Sequence, residues 1–134
     1  MTRATIWSML VVDDQPEFLD LAREMLDGHP RLKIVSQATS GQEALALLPH
    51  LKANAVLIDV QMPGLNGFEV ARRLADSRPD LVVLLMTGAL EYDFEPLARD
   101  AGAIGCLNKR DLRPETVLAL LDRHSPGTAT GEIP

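Results

Sequence analysis

Residues 55–75, AVLIDVQMPGLNGFEVARRLA, decide the fold. Ala55 to Ile58 is a short, wholly apolar run rich in branched side chains, the pattern of a strand buried on both faces. Asp59 ends the run, and the Pro63-Gly64 pair that follows is turn composition. Asn66 with Glu69 satisfies the cap-x-x-Glu pattern of a helix start, after which Val70, Ala71, Leu74 and Ala75 fall on one helical face. Strand, loop and helix therefore follow one another within this single segment, and the same unit recurs on either side of it.

Further apolar runs at Ile6 to Val12, Leu32 to Val35, Leu81 to Met86 and Ile104 to Leu107 supply four more strands. Between them Phe18, Leu21, Ala22, Met25 and Leu26 share a helical face, as do Ala44, Leu47, Leu48 and Leu51, and finally Val117, Leu120 and Leu121. Ser40 with Glu43 marks another helix start, Asp14 with Glu17 offers the same pattern for helix one, and Pro114 suits a first turn. Pro96 would cost about 3 kcal/mol inside a helix but little in its first turn, which puts the start of helix four near Asp93. Strict alternation of doubly buried strands with helices predicts an α/β domain: a parallel sheet with helices on both faces, joined by right-handed crossovers and doubly wound.

Composition narrows the function classes. The chain has 134 residues, 46% of them apolar, which suits one domain that buries its core without disulfides. Thirteen Lys and Arg against 19 Asp and Glu leave a formal charge of −6, so direct nucleic-acid binding by this chain is not expected. Cys106 is the single cysteine and has no internal partner. The opening MTRATIWSMLVVDD has too short an apolar run for a secretory signal, and no stretch approaches the roughly 20 apolar residues of a membrane span. The expectation is a cytoplasmic protein with no membrane contact. Residues 125–134, SPGTATGEIP, lack periodicity and are rich in Pro, Gly and Thr, which predicts a flexible tail or the start of a linker after a domain over 1–124.

Ligands of open α/β sheets sit beyond the carboxyl ends of the strands. Here those ends carry Asp13 and Asp14, Asp59, Thr87 with Gly88, and Lys109. Taken singly each has an ordinary reading: Asp14 as a helix cap, Asp59 as a solvated acid before a turn, Thr87 as a turn hydroxyl, Lys109 as a surface amine. Together they do not, because three carboxylates at one sheet edge require positive charge. A hard divalent ion and the Lys109 ammonium balance them, and Mg²⁺, which binds through one or two carboxylates plus a phosphate, suits the set best. No His or Cys set is spaced for zinc. A carboxylate so placed can attack phosphorus to give an aspartyl phosphate, with Thr87 donating to the attached group and Gly88 allowing close backbone approach.

The segments VVDDQPEF, IDVQMPGLNGFE, MTGA and AGAIGCLNK resemble the bacterial two-component response-regulator receiver domain, over roughly residues 6 to 124. The resemblance implies a flavodoxin-like three-layer sandwich with strand order 2-1-3-4-5. It implies Asp59 as phosphoacceptor, Asp14 and Asp13 as direct and water-mediated contacts of Mg²⁺ (or Mn²⁺), and the Gln61 carbonyl as a further ligand. It implies Thr87 as switch hydroxyl and Lys109 as phosphoryl contact. The implied partner is a sensor histidine kinase or a histidine phosphotransfer protein carrying phosphohistidine, and the implied role is a phosphorelay switch rather than a turnover enzyme.

Three departures fall on the face of helix four, strand five and helix five, which the family commonly uses for output or homodimerisation. Cys106 stands where the family usually has an aromatic, Arg110 follows Lys109 where many relatives have proline, and Pro96 interrupts helix four. A cysteine has neither the bulk nor the reach of the usual ring. Either Tyr92 or Phe94, in the loop before helix four, supplies a mobile aromatic instead, or both pack into the core. A haloacid-dehalogenase-type enzyme is disfavoured because Asp13-Asp14-Gln15 is not its Asp-x-Asp motif, and a flavin site because acids replace its phosphate-cradling loop. The remaining rival is a receiver-like interaction module that is not phosphorylated.

Overall fold

The computed structural model of the chain describes residues 4–89 and 91–124. Five parallel strands, β1 (Trp7–Val12), β2 (Leu32–Ala38), β3 (Ala55–Asp59), β4 (Val82–Thr87) and β5 (Cys106–Asn108), lie in the order β2-β1-β3-β4-β5. They alternate with α1 (Pro16–Leu26), α2 (Gly41–Leu47), α3 (Gly67–Ser77), α4 (Glu95–Asp100) and α5 (Pro114–Leu121). The flavodoxin-like α/β sandwich and its strand order are as the sequence and the resemblance imply.

The alternation of side chains along each strand divides the core in two. Leu10, Val12, Val56, Ile58, Val83 and Leu85 face α2, α3 and α4, while Trp7, Met9, Val11, Leu57, Leu84 and Met86 face α1 and α5. Each such side chain contributes about 1.5–3 kcal/mol on burial, so the sheet rather than any single helix dominates the stability. The β1–β2 register shifts between Met9 and Leu10, and β2 runs three residues beyond the expected Val35 along the sheet edge.

The helix ends explain where the site falls. In α3 the expected capping box is complete: Asn66 accepts the Glu69 N–H, and Glu69 accepts the Asn66 N–H. Ser40 caps α2 through the Glu43 N–H, but the Glu43 carboxylate reaches back to Thr39 instead of to Ser40. The capping box expected of Asp14 and Glu17 does not form. Gln15 occupies the cap position, with Pro16 in the first turn, and it is Asp13 that accepts the Gln15 N–H, 2.9 Å away. α4 starts at Glu95, close to the expected Asp93, with Asp93 accepting the Glu95 N–H and Pro96 in the first turn, where its missing N–H costs nothing.

Two expected apolar faces are corrected. The buried face of α1 is Leu19, Ala22 and Leu26 with Phe18 at its edge, whereas Leu21 and Met25 are 47% and 39% exposed. The one-residue rotation arises because Leu19 was hidden among equally apolar neighbours, and periodicity fixes a stripe less sharply than it fixes a helix. Ala75 is likewise exposed, although a β-carbon at Gly102 would lie 2.8 Å from its own. The tail expected at 125–134 lies outside the described residues.

Away from the strands' carboxyl ends, one polar cluster ties three elements together. Asp122, just past α5, accepts two bonds from the Arg31 guanidinium at 2.6 and 2.8 Å and one from the indole N–H of fully buried Trp7 at 3.0 Å. The Arg31 bond is the main reason the Asp122 carboxyl is held below the usual carboxylate range.

Candidate functional site

The carboxyl ends of β1, β3, β4 and β5 bring the sequence-predicted residues together. Asp13 is fully buried and Asp59 is 6% exposed, while Asp14 is exposed. One oxygen from each of Asp13, Asp14 and Asp59 lies within 4.8 Å of the other two. Lys109 reaches across from the end of β5, its Nζ 2.6 Å from Asp13 Oδ2 and 2.9 Å from Asp59 Oδ2. The second contact is a directed hydrogen bond. The first is an ion pair without that geometry, so Asp13 Oδ2 is the one buried side-chain oxygen among the described residues that accepts no hydrogen bond.

Asp59 is held by both oxygens: Oδ1 accepts the Gln61 N–H at 2.9 Å and Oδ2 accepts from Lys109. Burial is the largest influence on it and raises its pKa above the ordinary value. The Gln61 and Lys109 bonds pull the other way without prevailing, and the charge of Asp13 adds to the rise. For Lys109 burial acts to lower the pKa, but the attraction of the Asp13 and Asp59 carboxylates together outweighs it and the net shift is upward. The lysine is therefore a fixed cation at neutral pH, while burial works against the charged form of Asp59.

A close backbone approach sets the position of Asp59. A β-carbon at Gly67 would lie 2.5 Å from the Asp59 carbonyl oxygen, and the Gly67 N–H donates to the Val60 carbonyl, so α3 begins hard against the strand end. Gly64, at φ 76°, makes the turn between them in the left-handed region that suits glycine. At β4, Thr87 is 5% exposed and its hydroxyl oxygen accepts the Ala89 N–H at 3.0 Å. Gly88 is exposed, and an added β-carbon there meets nothing within 4 Å, so packing within the chain does not demand glycine.

Three contributors were not singled out from sequence. Phe18, read only as a core residue, places its ring centroid 4.4 Å from Lys109 Nζ. Asn108 joins two loops, its Nδ2 donating to the Ala89 carbonyl at 3.3 Å and its Oδ1 accepting the Arg110 N–H. Glu95 accepts the N–H of Cys106 on the edge strand at 3.0 Å and pairs with Arg99. The position of Asn108 directly before Lys109 was the only sequence signal for it. Of the aromatics before α4, Phe94 is half-buried against Phe68, with centroids 5.8 Å apart, whereas Tyr92 is 70% exposed and lies 5.8 Å from Phe94. Cys106 is half-buried, and burial pushes its thiol up to about 11, so it stays protonated.

The donor set is all oxygen, with one buried carboxylate oxygen lacking a hydrogen-bond donor. Such a set fits a hard divalent cation of the Mg²⁺ type rather than zinc or copper. The response regulator receiver domain model matches residues 9–122. The chain belongs to this family. As a receiver it is 38% identical to the response regulator GacA of Pseudomonas aeruginosa over 112 residues, 84% of this chain and 52% of that protein. It is 30% identical to the response regulator UvrY of Escherichia coli over 118 residues, 88% of this chain and 54% of that protein. The receiver thus spans about half the length of these curated relatives. Among solved structures, the signal receiver domain of the response regulator NarL from Mycobacterium tuberculosis superimposes with a TM-score of 0.79 at 30% identity, covering 90% of this chain and 97% of that one. One relative, 30% identical, is a protein-glutamate methylesterase of Syntrophus aciditrophicus of which the receiver covers 29%. No helix among the described residues is long and apolar enough to cross a membrane.

Proposed function

We propose that this receiver is a phosphorelay switch in which Asp59 takes a phosphoryl group from a phosphohistidine on a sensor histidine kinase or histidine phosphotransfer protein. The observation that carries this reading is the setting of Asp59: a buried carboxylate at a strand end, gripped on one oxygen by Gln61 and on the other by an ammonium it shares with Asp13. A carboxylate oxygen of Asp59 bonds to phosphorus as the donor's P–N bond breaks. The electron pair leaves with the imidazole nitrogen, which takes up a proton. Asp13, Asp14, Asp59 and the Gln61 carbonyl are the groups that would hold Mg²⁺ or Mn²⁺, which when bound neutralises charge on the transferring oxygens. Lys109 supplies a second positive charge from the protein itself.

The switch then runs through Thr87. Its hydroxyl now accepts the Ala89 N–H, and Asn108 holds the carbonyl of that same Ala89. Turning the hydroxyl to donate to a phosphoryl oxygen releases one end of Ala89 and loosens the bridge to Asn108. The change reaches the loop before α4, where Tyr92, exposed while Phe94 packs against Phe68, stands in for the aromatic that Cys106 does not provide. The α4, β5 and α5 face would then engage a second copy or an effector. Such a domain works in the cytoplasm, passes no signal by binding nucleic acid itself, and loses its phosphoryl group slowly to water instead of turning over substrate.

Incubation with acetyl phosphate and Mg²⁺ followed by intact mass measurement tests the reading. The wild type should gain one labile phosphoryl group and Asp59→Asn none. Equal labelling of the variant would refute the assignment of Asp59. Failure of both to label would favour the non-phosphorylated interaction module.

A further inference from the structure

We infer that Phe18 is a positioning residue for Lys109: the face of its ring keeps the ammonium over the site through a contact for which a metal ion does not compete. The inference rests on the phosphoacceptor reading above and assigns to that site a residue outside the acidic and lysine set. Among the described residues, Lys109 Nζ meets two carboxylates, Asp13 and Asp59, and one aromatic ring, Phe18, whose centroid is 4.4 Å away. That separation is well inside the roughly 6 Å reach of cation–π attraction.

The three neighbours are not equivalent. Asp13 and Asp59 belong to the oxygen set that suits a hard dication, and each oxygen given to such an ion loses much of its hold on the ammonium. An aromatic face offers no ligand atom to a hard cation and keeps its quadrupole whatever the carboxylates bind. Lysine carries its charge on a flexible four-carbon stem, so an ammonium released by its carboxylates leaves the site unless another contact remains. The Lys109 side chain is only 16% exposed, and cation–π contacts are stronger when desolvated.

The fold places the ring beside the acids. Asp13 Oδ1 holds the Gln15 N–H and Pro16 opens α1, so Phe18 stands in the first turn of the helix that leaves the strand end carrying Asp13. The ring is half-buried against the core between the sheet, α1 and α5. Its ordinary role would be to fill that space, and the two roles predict different results when volume is kept and the quadrupole removed.

Phe18→Leu and Phe18→Met keep an apolar side chain of similar size, and Phe18→Tyr keeps the ring. In chelator-treated wild type, the ε-methylene protons of Lys109 should resonate upfield through the ring current of Phe18. They should remain upfield after Mg²⁺ and beryllium fluoride are added. Loss of the upfield shift on loading would overturn the inference, whatever the labelling rates. With acetyl phosphate and Mg²⁺, Phe18→Leu and Phe18→Met should label about three- to ten-fold more slowly, and Phe18→Tyr within about two-fold of wild type. Thermal denaturation identifies which of the two apolar variants remains folded for that comparison. Wild-type rates in Leu and Met, or an equal fall in Tyr, would show that the ring only fills space. Labelling of Asp59→Asn would instead strike the phosphoacceptor reading and leave the ring-current result to judge Phe18 separately.

Discussion

Neutralising Asp59 should make the metal-free protein more stable, although the substitution removes a hydrogen-bonded ion pair. The Asp59 side chain is 8% exposed, so solvent screens it little. At an effective dielectric constant of 20, the attraction to Lys109 across 2.9 Å is roughly 6 kcal/mol. Repulsion from Asp13, with ligand oxygens no more than 4.8 Å apart, is roughly 3.5 kcal/mol or more on the same scale. Burial of the charge costs several kcal/mol further. The raised pKa of Asp59 says that the unfavourable contributions prevail, with burial the largest. Asp59→Asn keeps the shape and an oxygen for the Gln61 N–H, and leaves Lys109 paired with Asp13. A gain on the order of 1–2 kcal/mol follows from this balance.

Urea denaturation in chelator, followed by the fluorescence of Trp7, the only tryptophan and fully buried, reads the change directly. The midpoint should rise by roughly 0.5–1 M. The pH dependence carries the sign. Because the folded pKa of Asp59 is raised, the penalty of its charge is full above that pKa and disappears as pH falls below the ordinary value of about 3.9. The gap between variant and wild type should therefore close in acid. A variant that is less stable at neutral pH, or a gap that persists at low pH, would refute the electrostatic reasoning.

Gly67→Ala should destabilise by about 1–3 kcal/mol, because the new methyl meets the backbone of Asp59 and Val60 rather than a yielding side chain. A lowered urea midpoint together with slower acetyl phosphate labelling would register both the clash and the displaced carboxylate, and an unchanged midpoint would disprove the close packing. Asp122→Ala should cost about 1–2 kcal/mol, a value reduced for the 39% exposure of its side chain, since it strands the buried Trp7 indole N–H and leaves Arg31 only its Nε bond to the Thr5 carbonyl. With its folded pKa depressed, Asp122 contributes fully above the unfolded value near 3.9 and loses the contribution as pH falls through the lower folded value. Calorimetric melting of the pair should show a constant gap between pH 7 and about 5 that narrows below about 4.

Strand and helix order were legible in the sequence because each rests on local chemistry. Apolar runs such as Ala55 to Ile58, short, branched and bounded by turn residues, fit central strands of a covered sheet, and the Asn66 and Glu69 pair caps its helix through neighbouring backbone groups. Asp13, Asp59, Thr87 and Lys109 could be read as one site because every strand of a parallel sheet ends at the same edge, so sequence position at a strand end already implies proximity. What depends on direction and distance across the fold could not be read in this way. The sequence left open whether Asp13 or Asp14 turns inward, and the structure buries Asp13 while leaving Asp14 in solvent. It assigned Leu21 and Met25 to the core, whereas helix rotation about the sheet exposes them and buries Leu19. It gave no reason to connect Phe18 with Lys109, 91 positions away, or Asn108 with Ala89, because an aromatic face and an amide acquire their partners only when separate crossovers deliver them to the same point. Local patterning determines which elements form and which ends they share, while the rotation of each element against the sheet, a matter of packing among many similar side chains, decides which atoms meet.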